Sequence, residues 1–314
     1  MRFDAYATEP HYFRAIAPIL AALPAENRGQ FFSINFEYAP DGWEASRGSP
    51  NTSNPVIVAG YRDLQMCGGR PAIMVAHGAG QTYQDIGDHP SYAGGRSHES
   101  VVLFISPSKQ AAGKWAAKYP EAKSVAVGCP ALDQHFANPV RGEQIAVSFG
   151  WGPASCPEMR TGADFFMPGV AELSKQHKII GTGHPRIIDP LIPLYQNLGI
   201  EVVRDPDEVL RRASLVVADN TSLAWEAASL GIPLVWLNIP EARRDVEHGM
   251  RWWKYASSGI QCNLLSQMPD AVEAALADPK RQQTLRAKAV KAIYEFTDGR
   301  SAKRAVDAIL GLAA

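Results

Sequence analysis

The segment Leu215–Val235 reads LVVADNTSLAWEAASLGIPLV, and its pattern indicates the fold of the chain most clearly. An apolar strand ends at Ala218, and a polar turn separates it from a helix predicted over Ser222–Leu230. Gly231-Ile232-Pro233 then ends the helix before the next apolar strand, Leu234–Leu237. A strand, a helix and a second strand in this order form a βαβ unit, which places the two strands in a parallel sheet.

The same alternation of strand-length apolar segments with helical segments fills most of the chain, and it predicts an α/β protein. The predicted strands are Phe3–Tyr6, Phe31–Asn35, Val56–Ala59, Ile73–Ala76, Val101–Ile105, Ser124–Val127, Ile145–Phe149, Lys178–Ile180, Glu201–Val203, Leu215–Ala218 and Leu234–Leu237. The predicted helices are Tyr12–Leu23, Lys109–Lys118, Asp164–Gln176, Asp189–Leu198, Pro206–Arg212, Ser222–Leu230, Pro269–Ala277, Arg281–Phe296 and Ser301–Leu312.

A break in this pattern lies between Asp133 and Glu143, where Asn138, Pro139 and Gly142 precede a new strand. It predicts two Rossmann-like domains, residues 1–140 and 141–314, and the second includes the three terminal helices. Their parallel sheets are expected to face a central cleft.

Composition excludes several classes of protein. The 314 residues are 46% hydrophobic, which suffices for ordinary buried cores, and the net charge of -1 gives no global field for a polyanion. The four cysteines are far apart, as expected for reduced thiols in a cytoplasmic protein. No run of about 18 or more apolar residues occurs, so no transmembrane helix is predicted.

The polar turn after Ala218 is the first candidate site. Asp219, Asn220, Thr221 and Ser222 lie where a strand meets a helix N-terminus, which offers N–H groups and hydroxyls to a phosphate. Glu226 follows one helical turn later, where its carboxylate can accept hydrogen bonds from a ribose diol. The alternative interpretation is a helix cap followed by a solvated glutamate.

A second candidate follows the strand that ends at Ile180. His184 and Arg186 come after a glycine-rich turn and are expected at the same carboxyl edge of the sheet. An N–H-donating imidazole and an arginine fork suit a pyrophosphate that becomes a leaving group. Taken alone, a His-Pro turn is more often structural.

Candidate catalytic residues lie in the first half. His77 follows a strand among small residues, which let a ligand approach the imidazole closely, and histidine titrates where a general base is useful. Glu9 and His11 lie in the loop after the first strand and are expected in the same cleft. For each histidine the alternative is a loop residue whose hydrogen bonds are satisfied.

Other motifs are absent from the sequence: a Walker-type loop, a G-x-S-x-G elbow, a G-x-G-x-x-G fingerprint and metal-ligand spacing. We therefore expect no metal and no cofactor.

The chain resembles GT-B fold proteins, in particular two neighbouring families. It is similar to CDP-glycerol glycerophosphotransferases at His77-Gly78, at residues 128–133 (GCPALD), at His184-Pro185 and at residues 219–222. It is similar to UDP-N-acetylglucosamine 2-epimerases and their glycosyltransferase relatives at Thr8-Glu9-Pro10 and at residues 226–233 (EAASLGIP).

The resemblance implies that the second half binds the donor, with the phosphates on His184 and on residues 220–222 and the ribose on Glu226. His77 would be the base for an acceptor held by the first half. The expected function is metal-independent transfer of a sugar from a nucleotide-diphosphate donor to a hydroxyl acceptor. The alternatives are a glycerophosphotransferase using CDP-glycerol, a nucleotide-sugar 2-epimerase, and a non-catalytic nucleotide-sugar binder.

The acceptor class stays open between a polymer, a modified nucleic acid and other hydroxyl compounds. A nucleic acid would need a local cluster of basic residues, for which the sequence offers Arg211, Arg212, Arg243, Arg244 and the final helices.

Overall fold

The computed structural model describes residues 1–35, 39–79, 96–152, 161–219, 221–239 and 253–312. The chain forms two compact units, one of residues 1–137 with 292–314 and one of residues 138–291. The strands are β1 Phe3–Tyr6, β2 Arg28–Ser33, β3 Glu44–Arg47, β4 Val56–Val58, β5 Ala72–Val75, β6 Val101–Ser106, β7 Lys123–Ala126, β8 Gln144–Phe149, β9 Ile179–Gly183, β10 Glu201–Val202, β11 Ala213–Ala218, β12 Leu234–Leu237 and β13 Ile260–Cys262.

The helices are α1 Pro10–Ala22, α2 Tyr61–Met66, α3 Lys109–Lys118, α4 Asp133–Ala137, α5 Ala163–Leu173, α6 Ile188–Asn197, α7 Pro206–Arg212, α8 Ser222–Ser229, α9 Met268–Leu276, α10 Lys280–Ile293 and α11 Ser301–Leu310.

Both sheets are parallel and follow one connection rule. The first has the strand order β3-β2-β1-β4-β5-β6-β7, and the second has the order β10-β9-β8-β11-β12-β13. In each, the chain starts in the middle, moves outward to one side, then returns and continues to the other side, as in the Rossmann fold. The predicted α/β class with two parallel sheets is confirmed.

The segment Leu215–Val235 folds as its pattern predicts. β11 and β12 pair in parallel, with Val216 beside Leu234 and Ala218 beside Trp236. Between them, the Thr221 hydroxyl caps α8 by accepting a hydrogen bond from the Leu223 N–H. Gly231 has φ 79, a left-handed conformation that glycine adopts without strain, and it lets the chain leave the helix for β12.

Buried aromatic packing fixes α6 against the second sheet. The Tyr195 ring lies against Gly181, where an added Cβ would come within 2.5 Å of the ring. The Tyr195 hydroxyl is 3.1 Å from the Val147 carbonyl and 3.0 Å from that of Thr182, which links the helix to β8 and β9. The carboxyl ends of these two strands are therefore held at a fixed spacing.

The division into units differs from the predicted one at the C-terminus. Residues 292–314 belong to the first unit, whereas the sequence pattern assigned them to the second. The physical reason is packing: Val306 and Ile309 of α11 are buried in the same core as Ile16 of α1. In addition, the Asp133 carboxylate accepts hydrogen bonds from the N–H groups of Ser301 and Ala302.

Two strands were not predicted. β3 is an edge strand of mostly exposed polar residues, so it lacks the apolar pattern on which the prediction depended. β13 has only three residues and lies at one edge of the second sheet.

In the described residues no helix has both the length and the apolar character needed to cross a membrane.

Candidate functional site

The carboxyl ends of the strands at the two switch points carry most of the expected site residues. The order of connections reverses between β1 and β4 in the first sheet and between β8 and β11 in the second. Ligands of open α/β sheets bind beyond the carboxyl ends at such points. Asn220, one of the expected phosphate contacts, lies outside the described residues.

Asp219 is the first residue after β11, and it is fully enclosed. Its side chain is 1% exposed, and its two oxygens accept hydrogen bonds from the Gly150 N–H at 2.5 Å and the Gly162 N–H at 2.7 Å. Burial raises the pKa of Asp219 to about 7, while the two N–H donors act in the opposite direction. The geometry thus gives Asp219 a positioning role, joining the end of β8 to the start of α5, and its contact with a donor stays a prediction.

The N-terminus of α8 follows immediately. The Thr221 oxygen accepts from the Leu223 N–H at 3.4 Å, so the predicted helix cap is present, and the Thr221 O–H is still able to donate. Ser222, the first helical residue, is half-buried. A helix N-terminus with hydroxyl donors is suited to a phosphate.

Glu226 lies one turn further along α8, with 3% of its surface exposed. The alternative interpretation of Glu226 as a solvated glutamate is therefore wrong. It follows Trp225, which packs against Trp236 of β12 with ring centroids 4.8 Å apart. Its contact with a ribose remains a prediction.

His184, Arg186 and Trp151 form a stack after β8 and β9. The imidazole of His184 lies on the Trp151 indole, with centroids 5.3 Å apart, and the Arg186 guanidinium lies 4.3 Å from the centroid of the Trp151 ring. The Arg186 N–H donates to Nδ1 of His184 at 3.2 Å. Because Nδ1 accepts, the neutral imidazole carries its proton on Nε2 and presents a donor there.

Sequence reasoning missed Trp151. The available signal was an aromatic residue between Gly150 and Gly152, directly after the predicted strand Ile145–Phe149. An aromatic residue at the carboxyl edge of a sheet is placed to contact ligands. Here the Trp151 ring packs against His184 and Arg186, the two side chains predicted to bind phosphate.

In the first unit, His77 has the opposite tautomer. Its Nδ1 lies 2.8 Å from the Ala59 carbonyl oxygen, which only accepts, so Nδ1 carries the proton. The lone pair is then on Nε2, which is the atom at which a general base would accept a proton. The side chain is exposed, and its ring is in edge contact with Tyr12, with centroids 5.1 Å apart.

The structure brings the three predicted catalytic residues together. The His11 and His77 rings have centroids 5.9 Å apart, and Nδ1 of His11 lies 3.4 Å from an oxygen of Glu9. Glu9 is the N-cap position of α1, directly after β1. The cluster therefore combines two imidazoles and one carboxylate at the switch point of the first sheet.

A buried carboxylate supports this loop. Asp63 of α2 accepts hydrogen bonds from the Thr8 hydroxyl at 2.5 Å and from the Thr8 N–H at 3.2 Å. Burial raises the pKa of Asp63 to about 6, with a smaller contribution of the same sign from Glu9. No sequence motif marked Asp63, because its role depends on a tertiary contact 55 residues away.

The four arginines named for a nucleic acid either have partners on neighbouring elements or lie outside the described residues. Arg212 is bonded to Glu201, Glu208 and Gln144, and Arg211 lies 3.9 Å from Asp205. Arg243 and Arg244 fall outside the described residues. Across the described ranges, no group of three or more His, Cys, Asp or Glu residues could hold a metal ion.

No protein-family profile matches this sequence. No curated protein sequence matches it either.

Solved structures, by contrast, match almost the whole chain. A structure of the wall teichoic acid polymerase TagF has a TM-score of 0.66 at 12% identity, covering 99% of this chain and 88% of its own. The UDP-GlcNAc 2-epimerase of Neisseria meningitidis bound to UDP-GlcNAc has a TM-score of 0.64 at 13% identity, covering 99% and 100%. That of Methanocaldococcus jannaschii, in complex with UDP-GlcNAc and UDP, has a TM-score of 0.64 at 15% identity, covering 99% of both chains.

The expected GT-B fold is confirmed by these matches, and they include proteins of both families that the sequence resembles. At 12 to 15% identity the likeness shows the fold and not the activity.

Proposed function

We propose that this chain is an enzyme that transfers a sugar from a nucleotide-diphosphate donor to a hydroxyl acceptor. One observation carries the proposal. At the carboxyl edge of the second sheet, an Nε2–H of His184 and an exposed guanidinium of Arg186 follow β9, and the N-terminus of α8 follows β11; these two strands lie on either side of β8.

These groups have the chemistry that a diphosphate requires. The helix N-terminus and the hydroxyls of Thr221 and Ser222 offer neutral donors, whereas Arg186 offers a charged fork. As the bond between the sugar carbon and the diphosphate oxygen breaks, negative charge grows on that oxygen. Donors fixed in advance stabilise this charge without a metal ion.

The first unit supplies the proton acceptor in this proposal. The acceptor hydroxyl attacks the sugar carbon and gives its proton to Nε2 of His77, while the electron pair of the broken bond leaves with the nucleoside diphosphate. The Ala59 carbonyl stabilises the imidazolium that forms, because it already holds the Nδ1 proton. Glu9, paired with His11, adds negative charge near the same imidazole.

The experiment separates binding from chemistry. We expect His77→Ala to reduce turnover by about 100-fold or more, since general base catalysis contributes factors of that order. Its affinity for the donor should stay within twofold of wild type, measured by calorimetry. Turnover retained at the wild-type level would overturn the assignment of the base.

A second candidate function is 2-epimerisation of a nucleotide sugar, which the clustering of Glu9, His11 and His77 favours because several proton carriers lie together. An epimerase would incorporate solvent deuterium into the sugar with no acceptor present, whereas a transferase would not. A glycerophosphotransferase would consume CDP-glycerol and release CMP, whereas a non-catalytic binder would leave every donor intact.

A further inference from the structure

A network of side-chain amides lies at the carboxyl ends of β12 and β13. Asn238 is the first residue after β12, and its Nδ2 donates to Gln261 Oε1 at 3.1 Å and to Asn263 Oδ1 at 2.8 Å. Its backbone N–H donates to the Cys262 carbonyl at 2.8 Å, so the ladder between the two strands extends to this position.

Backbone carbonyls fix the orientation of the Gln261 amide, and Gln261 in turn fixes that of Asn238. Nε2 of Gln261 donates to the carbonyls of Ala256 at 2.7 Å and Gly259 at 3.1 Å. Carbonyls only accept, so Gln261 cannot be turned over, and its Oε1 must face Asn238. Asn238 therefore has to present Nδ2 to Gln261, and its Oδ1 is directed elsewhere.

This Oδ1 is an unused acceptor. Asn238 is 4% exposed, and among the described residues its Oδ1 has no hydrogen-bond partner. A buried acceptor without a partner destabilises the folded protein, so such groups are rare and usually have a function.

The position of Asn238 relates this acceptor to the proposed donor site. In the second sheet, β12 lies next to β11, which leads to α8, and β11 lies next to β8, which leads to Trp151. With strands about 4.8 Å apart, Asn238 is one strand from the turn that begins α8 and about 10 Å from the end of β8. His184 follows β9, which lies on the other side of β11 from β12 in the strand order.

We propose that Asn238 determines specificity for the group that the diphosphate carries, and this inference rests on the proposed function. A diphosphate at the N-terminus of α8 would have His184 on one side and Asn238 on the other. The carried group then donates a hydroxyl or amide N–H to Oδ1. The Oδ1 acceptor favours a neutral sugar or polyol, which can donate a hydrogen bond to it. A carboxylate or phosphate at that position would place a second hydrogen-bond acceptor next to Oδ1.

The test compares donors with and without the carried group. UDP, UDP-GlcNAc, CDP and CDP-glycerol are titrated into wild type and Asn238→Leu, which has a similar volume and no acceptor. We expect the variant to bind its preferred complete donor about tenfold more weakly, as one lost hydrogen bond implies, and to bind the matching nucleoside diphosphate within twofold of wild type.

Ser148→Ala is the matched control. Ser148 lies on β8 of the same sheet and is 1% exposed, and its hydroxyl likewise has no partner within the described ranges. Because it lies within the strand, before the edge, both affinities should stay unchanged in this variant. A comparable loss there would show that any buried polar change in this sheet weakens binding, and would overturn the proposal.

Two further results overturn the proposal in distinguishable ways. If Asn238→Leu weakens the binding of nucleoside diphosphate and of complete donor equally, or weakens neither, Asn238 does not contribute to recognition of the carried group. The proposed function is then unaffected. If wild type binds none of the four compounds, the proposed function itself is wrong. A thermal unfolding curve of each variant shows that the loss is measured on folded protein.

Discussion

At the scale of single residues, the two histidines that matter most have opposite proton positions. The Ala59 carbonyl holds the proton of His77 on Nδ1, and the Arg186 N–H holds that of His184 on Nε2. One side chain is thereby prepared to accept a proton and the other to donate a hydrogen bond. Backbone groups impose both states, which the sequence alone does not show.

Nitrogen-15 NMR of the imidazoles checks this difference. In selectively labelled protein above pH 7.5, we expect the Nδ1 chemical shift of His77 to be that of a protonated nitrogen. The Nδ1 chemical shift of His184 should be that of an unprotonated nitrogen. His77→Ala and His184→Ala assign the two signals. The same tautomer at both positions would contradict the roles given to them.

The buried Asp63 predicts a pH dependence. Its folded-state pKa of about 6 lies above the ordinary value of 3.8, so the folded protein holds this proton more tightly than the unfolded chain. The stability from this group is complete below about pH 4 and is lost as pH rises through 6. The loss is on the order of 2 to 3 kcal/mol.

Asp63→Asn isolates that contribution. The amide oxygen can accept from the Thr8 N–H, and the amide nitrogen can donate to the Thr8 hydroxyl, so the loop keeps both contacts. We therefore measure the free energy of unfolding in urea for both proteins and subtract the wild-type value from the variant value. This difference should increase between pH 4.5 and pH 7.5. A difference independent of pH would show that Asp63 does not titrate in this range.

At the scale of elements, close packing between α1 and the loop before α2 positions His77, the proposed base. Gly60 lies against the Tyr12 ring, where an added Cβ would come within 2.4 Å of Cε2, and that ring is in contact with His77. The φ of Gly60 is −106, which alanine adopts freely, so the constraint is space alone.

Gly60→Ala should displace Tyr12 and lower turnover at least tenfold, with a loss of about 1 to 3 kcal/mol in stability from overpacking. Gly113→Ala is the control, because that glycine lies in α3 with open space around its Cα. It should raise stability by about 0.5 to 1 kcal/mol and leave turnover unchanged. Wild-type kinetics in Gly60→Ala would exclude a role for Tyr12 in positioning His77.

The turn after β11 shows how far pattern predicts a site. The strand, cap and helix from Ala213 to Ser229 follow from local sequence, because period and capping chemistry are local properties. The burial of Asp219 and Glu226 does not follow, since it depends on residues that other strands bring together. Trp151 was missed for the same reason: its partners come from β9.

At the scale of the molecule, the α/β class and the two parallel sheets could be predicted, because buried parallel strands give strong apolar runs. The polar edge strand β3 could not, and neither could the return of the chain to the first unit. Residues 292–314 follow the second unit in sequence, yet α11 buries its apolar face in the first core.

Ile309→Ala tests the return of the chain. Ile309 is fully buried, so its truncation should cost about 2 to 5 kcal/mol, and hydrogen exchange should accelerate in β1, β4 and β5. The strands β8, β11 and β12 should exchange at the wild-type rate. Acceleration confined to these three strands instead would place α11 with the second unit.

The proposed function requires that the second unit bind a nucleoside diphosphate through the edge that carries His184. Isothermal titration of UDP and CDP into wild type, His184→Ala and His77→Ala measures this binding. We expect wild type to bind one of the two nucleotides, His184→Ala to weaken this binding about tenfold or more, and His77→Ala to leave it within twofold. Binding of neither nucleotide, or equal affinity in His184→Ala, would contradict this expectation.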